Sequence, residues 1–512
     1  MHIGAYVAQN ARKFPEKLAI YCEGRTYTYQ RFNEEVNRFA HGLLTLGINV
    51  GNKVALMMKN SDYFVFAFFA AAKIGAVIVP VNTRLTASET QYILEQSDSI
   101  LAIIDSDFEE IILEAKEKSR IKNVVVVGPV LKEGHVSYEH ILSERVEDPE
   151  VVLTEQHDLE ILYTSGTTGR PKGALFDHNR IFKVGVSMMV AMGLNQHDRF
   201  LHLAPLFHSA QLNLFLISGV VLGATHYIHR DFHPQKVLQA IQEHKISFFF
   251  GVPAMYNFLL QVPDSKNYDL STITRCGYGA APMAPELVRK SMELFKTDQF
   301  YNLCGLTEAG PGGVYLDPYG HKEHLGKGGT AVFLSEARVV TESGDDIMPG
   351  GVGEFILRGD TVMKEYYKNP KETASAIKGG WLYTGDLATI DHEGYITLVD
   401  RKKDMIISGG ENVYSIEVEQ VLYEHPSILE AAVIGLPDEV WGEAVCGVVV
   451  PKAGVAIDES ELKNFCRKKL AGYKVPRRFF IEKELPRNAS GKVLKYQLKQ
   501  SHNQAVLTTT EE

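Results

Sequence analysis

The densest concentration of residues able to do chemistry is Tyr163-Thr164-Ser165-Gly166-Thr167-Thr168-Gly169-Arg170-Pro171-Lys172-Gly173. Gly166, Gly169 and Gly173 let backbone amides come close to an anion, the hydroxyls of Thr164, Ser165, Thr167 and Thr168 donate to phosphate oxygens, and Lys172 adds positive charge. The spacing is not that of a Walker loop, G-x-x-x-x-G-K-[ST]: counted from Gly166, Pro171 stands where the second glycine belongs. An ordinary P-loop nucleotidase is therefore disfavoured, while phosphate binding remains the chemistry these residues offer. Taken alone, the tract also fits a surface turn.

Further candidates follow along the chain. His208, in Pro205-Leu206-Phe207-His208-Ser209, precedes an apolar run containing Leu212, Leu214, Phe215 and Leu216; its imidazole could donate to a carboxylate or serve as a core group. Gly277-Tyr278-Gly279-Ala280-Ala281-Pro282 offers small side chains where a flat ligand could reach the backbone. Glu308, closing Tyr301-Asn302-Leu303-Cys304-Gly305-Leu306-Thr307-Glu308, suits a nucleotide-bound magnesium, which is commonly held by one or two carboxylates together with phosphates. Asp386, in Trp381-Leu382-Tyr383-Thr384-Gly385-Asp386-Leu387, suits paired hydroxyl donors or a turn. Gly409-Gly410 presents bare backbone, and Lys492 follows a turn-forming Asn488-Ala489-Ser490-Gly491.

The elements that must position these groups point to an α/β protein. Short apolar runs alternate with helical patterns: Val54 to Met58, Tyr63 to Ala72, Ala76 to Val79, Ser88 to Glu95, Leu101 to Ile104. Strand-like runs at Val124 to Val127 and Glu160 to Tyr163 follow, the second feeding the glycine loop. A large unit is expected over residues 1–400, with a β-rich subdomain over about 326–400 marked by Gly344-Asp345, Pro349-Gly350-Gly351 and Gly353. Arg401-Lys402-Lys403-Asp404 reads as a hinge. A small α+β module over 405–500 comes next, with helices at Ser415 to Tyr423 and Glu459 to Leu470 and strands at Ala431 to Ile434, Val445 to Val450 and near Phe479. Residues 501–512 are polar and aperiodic and are expected to fray as a flexible tail.

Composition bounds the function. In 512 residues, 53 Lys+Arg against 63 Asp+Glu give a net charge of -10, which argues against nucleic acid or anionic membranes as partners. Five cysteines, at 22, 276, 304, 446 and 466, lack zinc or disulfide spacing, and Met1-His2-Ile3-Gly4-Ala5 lacks the features of a secretory leader, so a cytoplasmic enzyme is expected. The run Gln211 to Thr225, interrupted by Asn213, Ser218, Gly219 and Gly223, is too short for a transmembrane segment and reads as a buried helix. An oligomer is compatible with all of this.

The motifs, in this order over nearly the whole chain, closely resemble those of the adenylate-forming superfamily: acyl-CoA synthetases, aryl-CoA ligases, luciferases and peptide-synthetase adenylation domains. The resemblance implies that Thr164, Ser165, Gly166, Thr167, Thr168, Gly169 and Lys172 hold the phosphates of ATP. It implies that Gly279, Ala280, Ala281 and Asn302 contact the nucleotide, that Thr307 meets the α-phosphate, and that Glu308 with Thr164 holds Mg2+. Asp386 and Arg401 match the ribose contacts, His208, Gly279 and Gly305 the acyl pocket, Lys403 the hinge, Gly409 and Gly410 the coenzyme A tunnel, and Lys492 the adenylation lysine. The sequence departs from the family at Cys304, where an aromatic usually stacks on adenine; Tyr301 is an alternative partner.

The implied reaction is two-step. A carboxylate attacks the α-phosphorus of ATP, pyrophosphate leaves, and coenzyme A takes the acyl group after the small module swings about its hinge. The apolar run after His208 suggests a medium or long-chain fatty acid, with an aromatic acid second. Loading of a separate carrier protein is the alternative acceptor chemistry, and a non-catalytic nucleotide sensor the alternative class; pyrophosphate exchange separates a sensor from a ligase.

Overall fold

The computed structural model describes residues 1–164, 170–487 and 493–508, and of 504–508 the backbone alone. Among these residues the chain forms four sheets, of nine, eight, five and five strands. The alternating runs near the N-terminus build the eight-stranded sheet: Lys53–Met57, Val77–Pro80 and Ser99–Asp105 are parallel, with helices Asp62–Lys73 and Ala87–Gln96 between them. Alternate residues of one strand enter different cores, Val54 and Leu56 one, Ala55 and Met57 another. A parallel sheet covered on both faces requires strands this uniformly apolar.

The nine-stranded sheet carries the parallel strands Arg199–His202, Phe248–Gly251, Arg275–Gly279 and Phe300–Gly305. One core draws on both large sheets, Leu56 and Ile78 from one and Ile20 and Ile228 from the other, and it includes helix Asp62–Lys73. Eleven of that helix's twelve residues are buried, which explains its apolar circumference. Its charged ends are paired: Asp62 accepts from Arg25 Nε at 2.7 Å, and Lys73 Nζ donates to Asn37 Oδ1 at 2.7 Å and bonds Asp148. Of the run Gln211 to Thr225, expected as one buried helix, the helix ends at Leu222 with Gly223 as its left-handed cap and Thr225 opens a strand; Ala210–Ile217 winds as a π-helix before Ser218–Leu222 turns α. No helix among the described residues is long and apolar enough to cross a membrane.

The third sheet, antiparallel, comprises Ser335–Val340, Val352–Gly359, Ile377–Lys378, Trp381–Ile390 and Ile396–Arg401. The fourth comprises Ile406–Ser408, Glu411–Val413, Ile428–Asp438, Gly442–Pro451 and Arg478–Ile481, packed by helices Ser415–Tyr423 and Glu459–Arg467 around Val433, Val445, Val449 and Leu462. Helix Lys495–Thr508 runs through residues 501–508 of the tail. Packing supplies what the polar pattern lacks, since Leu498 is buried and the His502 ring stacks on Phe480 with centroids 4.0 Å apart.

Candidate functional site

The two large sheets deliver their strand ends to one place. Strand Asp158–Thr164 ends at Thr164, and Arg275–Gly279 and Phe300–Gly305 end at Gly279 and Gly305; the carboxyl ends of parallel strands are where α/β folds bind ligands. Thr307 and Glu308 follow in a single 3-10 turn, Thr307–Ala309. Thr164 Oγ1 donates to Glu308 Oε1 at 3.3 Å, and Tyr366 Oη donates to the same oxygen at 2.8 Å. A carboxylate and a hydroxyl are hard oxygen donors, the set that suits a magnesium ion already carried by phosphates. Burial, and then the Glu308 carboxylate, push the Tyr366 phenol well above its usual range, so it remains a donor at neutral pH.

Lys172, the first residue of Lys172–Asp177, pairs with Glu372 Oε2 at 2.8 Å and lies 4.9 Å from the Tyr366 ring centroid. Tyr366 thus joins the carboxylate and the cation. Tyr366→Phe keeps the ring beneath Lys172 and removes the donor to Glu308; since hydrogen bonds to charged groups are worth about 1.5–3 kcal/mol, pyrophosphate exchange should fall about tenfold. Unchanged exchange kinetics would show that the hydroxyl does not orient the carboxylate.

His208 is half-buried, and burial lowers its pKa to about 4, so its ring is neutral. The Ala210 amide approaches Nδ1 at 3.4 Å, which leaves Nε2 as the nitrogen carrying hydrogen. The Oγ of neighbouring Ser209 lies 3.1 Å from Thr307 Oγ1, tying the His208 segment to the Glu308 turn. Gly279 and Gly305 are required by backbone packing: a Cβ on Gly279 would lie 2.2 Å from the Leu303 carbonyl oxygen, and one on Gly305 2.2 Å from that of Pro311. Ala280 adopts φ +65°, a left-handed conformation uncommon for alanine, at an exposed strand end beside half-buried Ala281. Asn302 is held by a bond from Nδ2 to the Lys327 carbonyl at 3.0 Å.

The alternative offered for Cys304 is corrected. Alternation along Phe300–Gly305 puts Tyr301 and Leu303 on one face and Asn302 and Cys304 on the other. Tyr301 is 8% exposed in a core with Phe200, Phe215 and Phe250, so it cannot occupy the surface beside Cys304.

Asp386 and Arg401 face each other across adjacent strands, Oδ1 to Nε 2.9 Å. Lys403 is exposed in a turn closed by the Asp404 and Met405 amides on the Arg401 carbonyl, at 2.9 and 3.0 Å. Gly409 and Gly410 form the turn between Ile406–Ser408 and Glu411–Val413 of the fourth sheet, with φ +63° and +84°. The Gly409 amide donates to the Trp441 carbonyl at 2.7 Å, and a Cβ there would lie 2.8 Å from the indole. Ser165, Gly166, Thr167, Thr168, Gly169 and Lys492 lie outside the described residues.

Four neighbours were not read from the sequence: Tyr366, Glu372, Trp441 and Arg477. The Arg477 guanidinium sits 3.8 Å from the Trp441 ring centroid, and Trp441 is 39% exposed. None of the four lies in a motif, and only Trp441, one of two tryptophans in the chain, offered a signal.

The model of the AMP-binding enzyme family matches residues 7–367, and that of the AMP-binding enzyme C-terminal domain matches residues 417–492. The chain is 35% identical to a feruloyl-CoA synthase of Amycolatopsis sp, over 96% of this chain and 97% of that protein. It is also 35% identical to the long-chain-fatty-acid–CoA ligase FadD13 of Mycobacterium tuberculosis, over 99% of each. Among solved structures, the anthranilate CoA ligase AuaEII in complex with anthranoyl-AMP superimposes with a TM-score of 0.91 at 26% identity, covering 99% of this chain and 98% of that one. The chain therefore belongs to the AMP-binding enzyme family, as an acyl-CoA synthetase of the adenylate-forming superfamily and an AMP-forming acid–CoA ligase.

Proposed function

We propose that this ligase activates a medium or long-chain fatty acid as its acyl-adenylate and transfers the acyl group to coenzyme A. The observation that carries the choice of acid is the run from His208 into Ala210–Ile217: Gln211 through Ile217 are all buried and mostly apolar, and Ser209 at their head touches Thr307. An acid lying along this segment would have its carboxylate near the phosphate end and its chain among hydrocarbon. His208 Nε2–H orients the carboxylate, the Thr164 to Lys172 loop and Thr307 bind the phosphates, and Asp386 with Arg401 holds the ribose. Glu308, with Thr164, would hold the magnesium that supplies charge neutralisation at the phosphates.

An aromatic acid is the second reading, supported by the feruloyl-CoA synthase relative at the same identity as the fatty-acid ligase. Gly409 and Gly410 guide the thiol, with Trp441 and Arg477 beside them. The scattered cysteines support a reducing cytoplasm as the compartment. A thioester-formation screen over aliphatic acids of increasing length and aryl acids, with ATP, magnesium and coenzyme A, decides between the readings. Best kcat/KM on an aryl acid would reject the fatty acid.

Units 1–400 and 405–500 turning about 401–404 separate the two half-reactions in this proposal. Lys403→Pro fixes φ at the joint and biases Lys402 toward extended backbone. Thioester formation should fall about tenfold while exchange changes less, because the joint need not turn for adenylation. The opposite ranking in half-reaction assays would remove Lys403 from the hinge.

A further inference from the structure

Glu160 lies mid-strand in Asp158–Thr164, four residues before Thr164, and is fully buried. Its neighbours in register, Ile78 and Phe176, are apolar. Asn213, in the π-helical segment, donates from Nδ2 to Glu160 Oε1 at 2.7 Å and reaches the Gly310 carbonyl at 3.4 Å. The remaining oxygens of the two groups, Glu160 Oε2 and Asn213 Oδ1, are both buried without a hydrogen-bond partner among the described residues.

Ionised, Glu160 can satisfy neither, because a carboxylate and an amide oxygen are both acceptors only. One proton on Oε2 resolves both orphans together. The acid O–H donates to Asn213 Oδ1 while Oε1 still accepts from Nδ2, and a buried charge is replaced by a neutral group.

We propose that Glu160 works as a neutral carboxylic acid doubly hydrogen-bonded to Asn213, and that this pair is a positioning element for adenylation. It pins the strand that leads into the glycine loop to the segment that follows His208 and to the turn after Glu308. The role rests on the adenylation reading above. Burial pushes the Glu160 carboxyl up to about 8, the Asn213 bond opposes that shift, and no charged neighbour among the described residues contributes. Charged groups on the surrounding elements are engaged elsewhere: Asp158 with Lys364, Lys172 with Glu372, Asp177 with Arg180, and Glu308 with Thr164 and Tyr366. Val77–Pro80 and Ala210–Ile217 carry no ionisable side chain, and His208 ahead of the latter is neutral.

Glu160→Gln makes the same two bonds with no proton to lose. Wild-type exchange should fall about tenfold per pH unit above the Glu160 titration, and E160Q should lack that limb while keeping the pH 7 rate within about threefold. Glu160→Ala should lower adenylation about tenfold or more and leave transfer from supplied acyl-adenylate within about threefold, a split that a merely structural role would not produce.

Melting curves test protonation independently of activity. A carboxyl raised in the folded state loses stability as pH rises from its ordinary 4.5 toward about 8, a loss glutamine does not share. The melting temperature of E160Q should therefore draw ahead of wild type by several degrees between about pH 5 and 8. A constant gap, an alkaline limb common to both proteins, or an E160Q chain that does not fold each overturns the neutral acid. Absence of acid-dependent exchange in the wild type at every pH overturns the adenylation reading and the positioning role with it, while the melting gap still decides the protonation state.

Discussion

Replacing Lys492 with alanine is expected to lower acid-dependent pyrophosphate exchange by about a thousandfold, while thioester formation from supplied acyl-adenylate stays within about threefold. In the adenylation step negative charge builds on the α-phosphate oxygens and on the oxygen bridging acid and nucleotide. An ammonium group supplied at that point would act only while the charge is developing, so its removal would be felt in the rate. Thiolysis places charge elsewhere and needs the same volume for the incoming thiol. The residues flanking the lysine are anchored: Arg487 bridges Val493 in antiparallel fashion, the Leu494 amide donates to the Pro486 carbonyl at 2.8 Å, and Arg487 pairs with Glu430 at 2.6 Å. Matching losses in both half-reactions would mean that Lys492 supports the fold and not the first step.

Much of the architecture was legible because its signals are local. The runs Val54 to Met58, Tyr63 to Ala72 and Leu101 to Ile104 sit within two residues of the strands and helix observed, since full burial demands uninterrupted apolar residues. The helix Ser415–Tyr423 was read to the residue. Tertiary pairing was not legible. Tyr366 reaches Glu308 because the two-residue strand Glu365–Tyr366 adds to Lys172–Asp177, a registration between segments about 190 positions apart that no periodicity records. The helix continuing past Ser501 is held by contacts with the fourth sheet that outweigh a polar, aperiodic pattern. Glu160 read as one more residue of an apolar strand, and its meaning appears only when Asn213 is brought against it.

Glu308→Gln is expected to lower exchange by about a hundredfold at fixed magnesium and to shift the magnesium requirement upward. The substitution isolates charge from shape, because the glutamine oxygen can still accept from Tyr366 Oη and Thr164 Oγ1, the two donors that orient the carboxylate. Stability should be nearly unchanged, since the side chain is half-buried and its hydrogen bonds persist. Tyr366→Phe performs the complementary operation, keeping the charge and removing one orienting bond, and so should cost less and leave the magnesium dependence in place. Transfer from supplied acyl-adenylate involves no pyrophosphate and should proceed within about threefold in E308Q, as in K492A. If E308Q instead shows wild-type exchange across a magnesium titration, the metal is held elsewhere, and the Thr164, Glu308 and Tyr366 cluster is a structural clasp between the two large sheets.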